Sequence, residues 1–164
     1  MNPTPSDKGW DLAIIDEKHN DCVRTRVFVI DKKARSKRIL VETKDAYEHI
    51  DACMNPTGTR IIVLKAIDIP ENDERNEYIE IYDPSNVKLV LSMSNWPVNN
   101  VVFSPDGNFM YLQAKLETGT PIEVVLNTIT GEKVEGASRQ HAGKAFVNIA
   151  DLLKQRKRTT HTVV

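Results

Sequence analysis

Cysteine is scarce in this chain of 164 residues, which contains only Cys22 and Cys53. Disulfide scaffolds and zinc sites in small domains normally have more cysteines, or a Cys-x-x-Cys pair. The sequence therefore favours a reducing compartment, and we predict a cytoplasmic protein, with a nuclear pool as an open alternative.

Long apolar runs and an excess of charge of one sign are also missing. The strongest apolar runs, such as residues 61–64, are far too short to cross a bilayer, so we expect no membrane association. Lys and Arg number 22 against 23 Asp and Glu, giving a net charge of -1, which provides no overall field for nucleic acid. With 40% hydrophobic and 27% charged residues, the composition is that of a globular domain.

Sequence patterns that would indicate catalysis are absent as well. The four histidines, at positions 19, 49, 141 and 161, are not spaced as metal ligands, and neither a Gly-x-Ser-x-Gly nor a His-Glu-x-x-His pattern occurs. We therefore predict no metal and no cofactor, and we favour a protein that is not an enzyme.

An internal repeat is present. Gly9, Gly58 and Gly107 are each preceded by turn-forming residues, SDK, NPT and SPD, and lie 49 residues apart. Pro presets one turn dihedral, Asp or Asn bonds its own backbone, and Gly accepts a positive φ, so each stretch predicts a tight β-hairpin. The equal spacing indicates three repeats of one unit.

Short runs rich in β-branched and aromatic residues flank each hairpin, and we predict four strands per repeat. The predicted strands include residues 49–54, 59–65, 78–82 and 88–93 in the middle repeat, with counterparts at 26–30 and 38–42 before it and at 98–103, 108–114, 121–126 and 132–136 after it. A period of 45 to 50 residues with four antiparallel strands is typical of a propeller blade. We predict an all-β fold of about three four-stranded blades, a partial β-propeller over residues 1–149.

Residues 101–113, VVFSPDGNFMYLQ, resemble the Ser-Pro-Asp-Gly hairpin of WD-repeat and TolB-like propeller blades. The third strands end in Ile30-Asp31, Tyr82-Asp83 and Leu126-Asn127 where WD repeats have Trp-Asp, and no Gly-His pair accompanies them. The resemblance is thus closer to the TolB-like group, and it implies that each hairpin joins the innermost strand of a blade to the second.

The number of strands raises the question of how the ring closes. The chain supplies three strands of one blade, two whole blades, and residues 145–149 (AFVNI) as a final strand that could complete the first blade. Three blades are too few to close a ring. One alternative is a homodimer of six blades in which each AFVNI strand completes the partner's first blade, and the other is completion by a different chain.

Two segments and one tryptophan are candidate binding sites. Residues 68–77, DIPENDERNE, predict an acidic loop, in which Asp73, Glu74 and Arg75 would face a partner, although most such loops are only solvated. Trp96 would lie on an assembly surface, although packing between blades is the commoner role for such a tryptophan.

Residues 150–164 form the other region, predicted as a short helix followed by a basic tail. Lys154, Arg156, Lys157 and Arg158 make a compact basic cluster. A solvated tail is the simpler interpretation, and binding of RNA phosphates is the alternative.

The leading functional hypothesis is a non-catalytic scaffold for protein interactions, which assembles with itself or with a complementing chain. The alternatives are a propeller-type hydrolase or regulatory propeller segment of a peptidase, for which His49 and Asp51 are the axial candidates, and an RNA-associated factor that uses the basic tail.

Overall fold

A computed structural model describes residues 9–94, 101–115, 118–135 and 146–162. Within these ranges the chain forms twelve strands and one short helix. The elements are β1 Trp10–His19, β2 Cys22–Asp31, β3 Ser36–Glu42, β4 Glu48–Met54, β5 Ile61–Ile69, β6 Glu74–Asp83, β7 Lys88–Ser94, β8 Val101–Phe103, β9 Phe109–Lys115, β10 Pro121–Asn127, β11 Val147–Asn148, α1 Ile149–Leu153 and β12 Arg158–Thr162.

The strands form three four-stranded sheets. Their orders are β12-β1-β2-β3 in the first sheet, β4-β5-β6-β7 in the second and β11-β8-β9-β10 in the third. The predicted fold class is confirmed: the protein is all-β, and its sheets are consistent with partial propeller blades. No helix among the described residues is long and apolar enough to span a membrane.

The second sheet lies between the other two. Side chains along a strand project alternately to the two faces of a sheet, and in this sheet apolar side chains project from both faces. Ile61 and Val63 pack with Leu12 and Ile14 of the first sheet. Ile62, between them in sequence, packs toward the third sheet in a separate buried cluster, which also includes Phe103, Met110, Leu112 and two residues of α1. Consecutive sheets therefore stack face to face along the chain.

The hairpins of the second and third sheets are joined side by side at their turns. Gly58 and Gly107 have φ of 69° and 76°, as the repeat predicts. The buried Asn55 side chain accepts hydrogen bonds from the amides of Thr59 and Arg60 at 2.8 and 3.0 Å, and donates to the Gly107 carbonyl at 3.3 Å. One asparagine thus closes its own turn and fixes the next hairpin against it.

The first repeat is one residue out of register with the others, although its glycine keeps the 49-residue interval. The Lys32 amide donates to the carbonyl of Gly9 at 2.9 Å, and the equivalent bond in the third sheet joins Thr128 to Asn108 at 2.8 Å. Gly9 is therefore the structural counterpart of Asn108 and not of Gly107. With this shift Leu12 corresponds to Tyr111, and the three sheets present matching faces.

Two strand assignments were wrong. In the AFVNI segment, Val147–Asn148 pair antiparallel with β8 of the third sheet, so this segment does not complete the first sheet. The segment that does so is Arg158–Thr162, which pairs in parallel with β1 of the same chain. Residues 132–135 of the predicted last strand form only an isolated bridge from Lys133 to Leu126.

The division of the chain after residue 149 stays a prediction.

The acidic loop predicted over residues 68–77 is mostly strand. β5 continues to Ile69 and β6 begins at Glu74, with cross-strand pairs that include Asp68 with Arg75. Only a short turn remains, in which Asp73 has a φ of 54°. Cross-strand ion pairing allows polar residues to continue the hairpin past its apolar part.

Replacing Gly107 by alanine should lower the free energy of unfolding by roughly 3 kcal/mol, since the left-handed backbone strains a Cβ and the displaced Asn55 amide loses hydrogen bonds. That Cβ would lie 2.4 Å from Asn55 Nδ2. The matched control is Gly119→Ala, where φ is 85° but nothing lies within 4 Å, and a loss of about 1 kcal/mol is expected. Urea unfolding of both variants measures the difference, and equal losses would contradict the role given to Asn55.

Candidate functional site

The inner edge of the first sheet brings the C-terminal basic residues against three aspartates. β12 runs beside β1, and the segment before it passes β4 of the second sheet. Three of the four predicted cations bind carboxylates there: Arg156 with Asp51, Lys157 with Asp11, and Arg158 with Asp16 and Asp51. We call these six residues the inner-edge cluster.

Asp16 is the buried centre of this cluster. Its side chain is 8% exposed, and Arg158 donates to its two oxygens through Nε at 2.6 Å and Nη2 at 3.0 Å. The Thr25 hydroxyl donates to Oδ1 at 2.6 Å. Burial by itself raises the pKa of Asp16, but the hydrogen bonds from Arg158 and Thr25 outweigh it, so that pKa lies below its ordinary value. The carboxylate is thus charged at neutral pH and held in a bidentate pair.

Asp51 joins the first and second sheets through the same cations. Its Oδ1 lies 2.7 Å from Arg156 Nε and 3.3 Å from Arg158 Nη1. The Arg156 Nε–H is buried and makes no hydrogen bond, so this contact is an ion pair without the directed geometry that Arg158 has with Asp16. Arg156 also donates through Nη1 to the Leu153 carbonyl, at the end of α1.

The two lysines are more exposed. Lys157 Nζ lies 2.9 Å from Asp11 Oδ2 on the opposite side of β1 from Asp16. Lys154 Nζ lies 3.8 Å from Asp151 Oδ1, one helical turn away, and both side chains are more than half exposed. Exposed pairs of this kind contribute little to stability.

A cleft of about 320 Å³ adjoins the cluster. It is lined by His49, Ile50, Asp51, Leu64, Lys65, Ala66, Glu77, Tyr78 and Arg158. His49 and Asp51, the two axial candidates of the hydrolase hypothesis, therefore share one cleft. His49 Nε2 is hydrogen-bonded to Asp68 Oδ2 at 2.7 Å, while Asp51 is bound by the two arginines.

The described lining of this cleft contains no serine, threonine or cysteine side chain that could act as a nucleophile. Cys53 is close in sequence to Asp51, but burial, with a smaller contribution from the Asp51 charge, raises the pKa of its thiol to about 12. A thiol with this pKa is protonated and inert near neutral pH. Among the described residues, no group of three or more His, Cys, Asp or Glu is placed to hold a metal ion.

The hairpin between β5 and β6 places Asp73, Glu74 and Arg75 at its exposed end. Arg75 Nε donates to Asp68 Oδ1 at 2.6 Å, and this bond, followed by that from His49, lowers the pKa of Asp68. One aspartate thus orders the base of the turn. Trp96, the remaining predicted site residue, lies outside the described residues.

Sequence reasoning found the cations of the inner-edge cluster, named Asp51 only as an axial candidate of the hydrolase hypothesis, and missed Asp11 and Asp16. One signal was present in β1, where Leu12 and Ile14 are core-facing and Asp16 continues the same alternation. A carboxylate at a core-facing strand position needs a partner. Nothing local indicated that the partner is 142 residues away.

The chain is similar in structure to several solved proteins, β-propeller domains among them. It matches the β-propeller domain of the Trilobed protease from Pyrococcus furiosus with 14% identity and a TM-score of 0.45, over 78% of this chain and 42% of that one. For the uncharacterized protein lmo1340 from Listeria monocytogenes EGD-e the identity is 17% and the TM-score 0.44, over 70% and 34%. For TolB from Acinetobacter baumannii these are 13% and 0.26, over 80% and 49%.

The chain thus spans less than half the length of each of these structures. At such identities and TM-scores the likeness carries no argument about activity. No family model matches the chain, and no curated protein matches it. The resemblance to WD-repeat and TolB-like blades, with its closer likeness to the TolB-like group, stays a prediction.

Replacing Asp16 by asparagine should lower the free energy of unfolding near pH 7 by about 2 to 3 kcal/mol, because Arg158 loses its buried counter-charge. Asp151→Asn is the control, since its pair with Lys154 is exposed, and a change below about 0.5 kcal/mol is expected. Chemical unfolding measures both, and equal effects would contradict the special position of Asp16.

Wild type and the Asp16→Asn variant also allow a test of pH dependence. The folded-state pKa of Asp16 lies below its ordinary value of 3.8, so its stabilisation is fully present above that value and is lost as the pH falls through the folded pKa. The stability difference between wild type and Asp16→Asn should therefore be constant from about pH 5 to 7 and shrink below about pH 4. A difference that grew on acidification would have the wrong sign.

Proposed function

We propose that the protein is a non-catalytic scaffold for protein interactions, which assembles with a second copy of itself by stacking propeller blades. The observation that carries the proposal is the outer face of the first sheet. Ala13, Ile15, Phe28, Ile30 and Ile39 project on this face, and none of them belongs to a buried cluster of the described residues. We call these five residues the leading face.

The strand register defines this face. Leu12 and Val29 pack toward the second sheet, and strand side chains alternate, so the residues next to them project the other way. Ala13 pairs with Phe28, which pairs with Ile39 on β3, forming one apolar row across the sheet. Ile39 is 49% exposed, and Lys37 Nζ lies 4.9 Å from the centre of the Phe28 ring.

Counterparts of this face are buried in the other two sheets. The second sheet turns Ile61 and Val63 toward the first, and the third turns Met110 and Leu112 toward the second. The leading face is the corresponding surface of the first sheet. An apolar sheet face of this kind is stabilised by covering it, at about 25 cal/mol per Å² removed from water.

The third sheet has the complementary surface. Its far face carries Val102, Tyr111 and Val125, which correspond to residues that stack on the next sheet in the first two repeats. These three are buried, with Phe109, Val134 and Phe146 packed against them, so a second copy would contact these covering side chains. Phe146 packs on Tyr111 edge to face, with ring centroids 5.4 Å apart. Stacking the leading face of one copy on this trailing face of another repeats the head-to-tail order found within the chain.

Two copies joined in this way at both ends would make a ring of six sheets, a number common among propellers, whereas three cannot close. Twofold symmetry satisfies both junctions at once and stops further growth. Hydrolase and RNA-binding roles stay predictions. The described lining of the cleft has no serine, threonine or cysteine side chain, and Arg156, Lys157 and Arg158 are paired with carboxylates.

Replacing Ile39 by aspartate should raise the dimer dissociation constant at least about tenfold, because a charge would be buried at the proposed junction. Leu89→Asp is the matched control, since Leu89 is also 49% exposed but lies on β7 of the second sheet, and it should leave the dimer intact. Sedimentation equilibrium over a range of concentrations measures both. A wild-type protein that stays monomeric at all concentrations, or equal effects of the two variants, would overturn this assembly.

A further inference from the structure

β12 pairs with its neighbour in an orientation that the other sheets do not use at this position. In the second and third sheets, the second strand of the repeat pairs antiparallel with the strand inside it, as β5 does with β4 and β9 with β8. In the first sheet β1 pairs in parallel with β12. The repeat therefore does not supply β12, which is added to the β1 edge from the far end of the chain.

The contacts of β12 are those of a bound extended peptide. All five of its residues are exposed, so it contributes no side chain to a buried cluster. Its main chain pairs with β1 from Ile14 to Lys18, and the Ile14 amide also donates to the Lys157 carbonyl at 3.0 Å. Main-chain pairing to a sheet edge with a few side-chain pockets is how strand-addition sites recognise peptides.

Charge complementarity identifies the kind of peptide. The edge offers Asp16 and Asp51 to the side chains of two arginines, Arg156 and Arg158, which are separated by one residue. Asp16 is buried and takes a bidentate guanidinium, a geometry that lysine cannot reproduce. The carboxylates belong to β1 and β4, which are paired along their length with β2 and β5, so β12 supplies none of the carboxylates of the site.

We propose that the inner edge of β1 is a binding site for an extended peptide of another protein that carries an Arg-x-Arg sequence and pairs in parallel with β1. Residues 156–162 of this chain are then its intramolecular occupant, which a partner displaces. The inference rests on the interaction role proposed above but uses a sheet edge and not the leading face, so each can fail without the other.

The test uses the full chain and a fluorescein-labelled peptide with the sequence of residues 154–162, KQRKRTTHT. In a double variant, Arg156→Ala with Arg158→Ala, the tail is weakened and the aspartates are kept. Fluorescence anisotropy should give at least about tenfold tighter peptide binding to this variant than to wild type, because the intramolecular competitor has been weakened. Adding Asp16→Asn should remove that gain, and Ile39→Asp should leave it unchanged.

Peptide variants give the specificity. Replacing both arginines of the probe by alanine should weaken binding at least about tenfold, and replacing only the arginine that corresponds to Arg158 by lysine should weaken it measurably, since the bidentate contact is lost. Equal binding of the arginine and alanine peptides, or no binding to the double variant in a fold verified by circular dichroism, would overturn the proposal.

Two further results are decisive. If the double variant does not fold, Arg158→Lys replaces it, keeping the charge and weakening the clamp, and it should still bind the peptide more tightly than wild type. If wild type forms a dimer that Arg158→Ala abolishes while Ile39→Asp does not, the edge binds the tail of a second copy, and the proposal of a different partner is wrong.

Discussion

Face-to-face stacking of twisted sheets is the constraint on which the structure depends. The second sheet buries apolar residues on both faces, but three sheets in a row provide only two junctions. The leading face of the first sheet therefore has no neighbouring sheet, and the trailing face of the third is covered by side chains such as Val134 and Phe146 in place of a sheet. The second sheet, covered on both sides, includes the fully buried Ile61, Ile62 and Val63, while Ile39 of the first sheet stays half exposed. The interaction role proposed above rests on this difference in burial between the middle sheet and the exposed face of the first sheet.

Strand edges impose a second constraint, because unpaired backbone groups at an edge invite other strands. The chain covers the inner edge of its first sheet with its own C-terminal residues. β12 has no buried apolar side chain, and it is attached to β1 by main-chain hydrogen bonds and by the Asp16–Arg158 ion pair. Losing one partner of such a pair costs more than the pair contributes. The closure is therefore sensitive to a single substitution at Asp16 or Arg158.

The sequence was sufficient for the fold class and for most strands, because both depend on local signals. Alternating apolar residues and glycine turns within each 49-residue interval predicted three sheets, and the positive φ at Gly58 and Gly107 agrees. Pairings between distant segments were not predictable in this way. Neither the AFVNI segment nor β12 carries a sequence feature that identifies the strand it pairs with. The two segments are separated by α1, whose Ile149 and Leu152 are buried with the second and third sheets.

The candidate site was predicted in part for the same reason. Its cations form a visible cluster in sequence, whereas Asp11, Asp16 and Asp51 are scattered through two strands and converge only when β1 and β4 lie side by side. Neutralisation by these carboxylates changes the meaning of the basic tail. A tail free in solvent would attract phosphates through a field that salt screens, while arginines paired with buried or half-buried aspartates act through directed contacts at short range. Three of the four predicted cations, Arg156, Lys157 and Arg158, are paired in this way, which supports the proposed recognition at the strand edge over a diffuse contact with a polyanion.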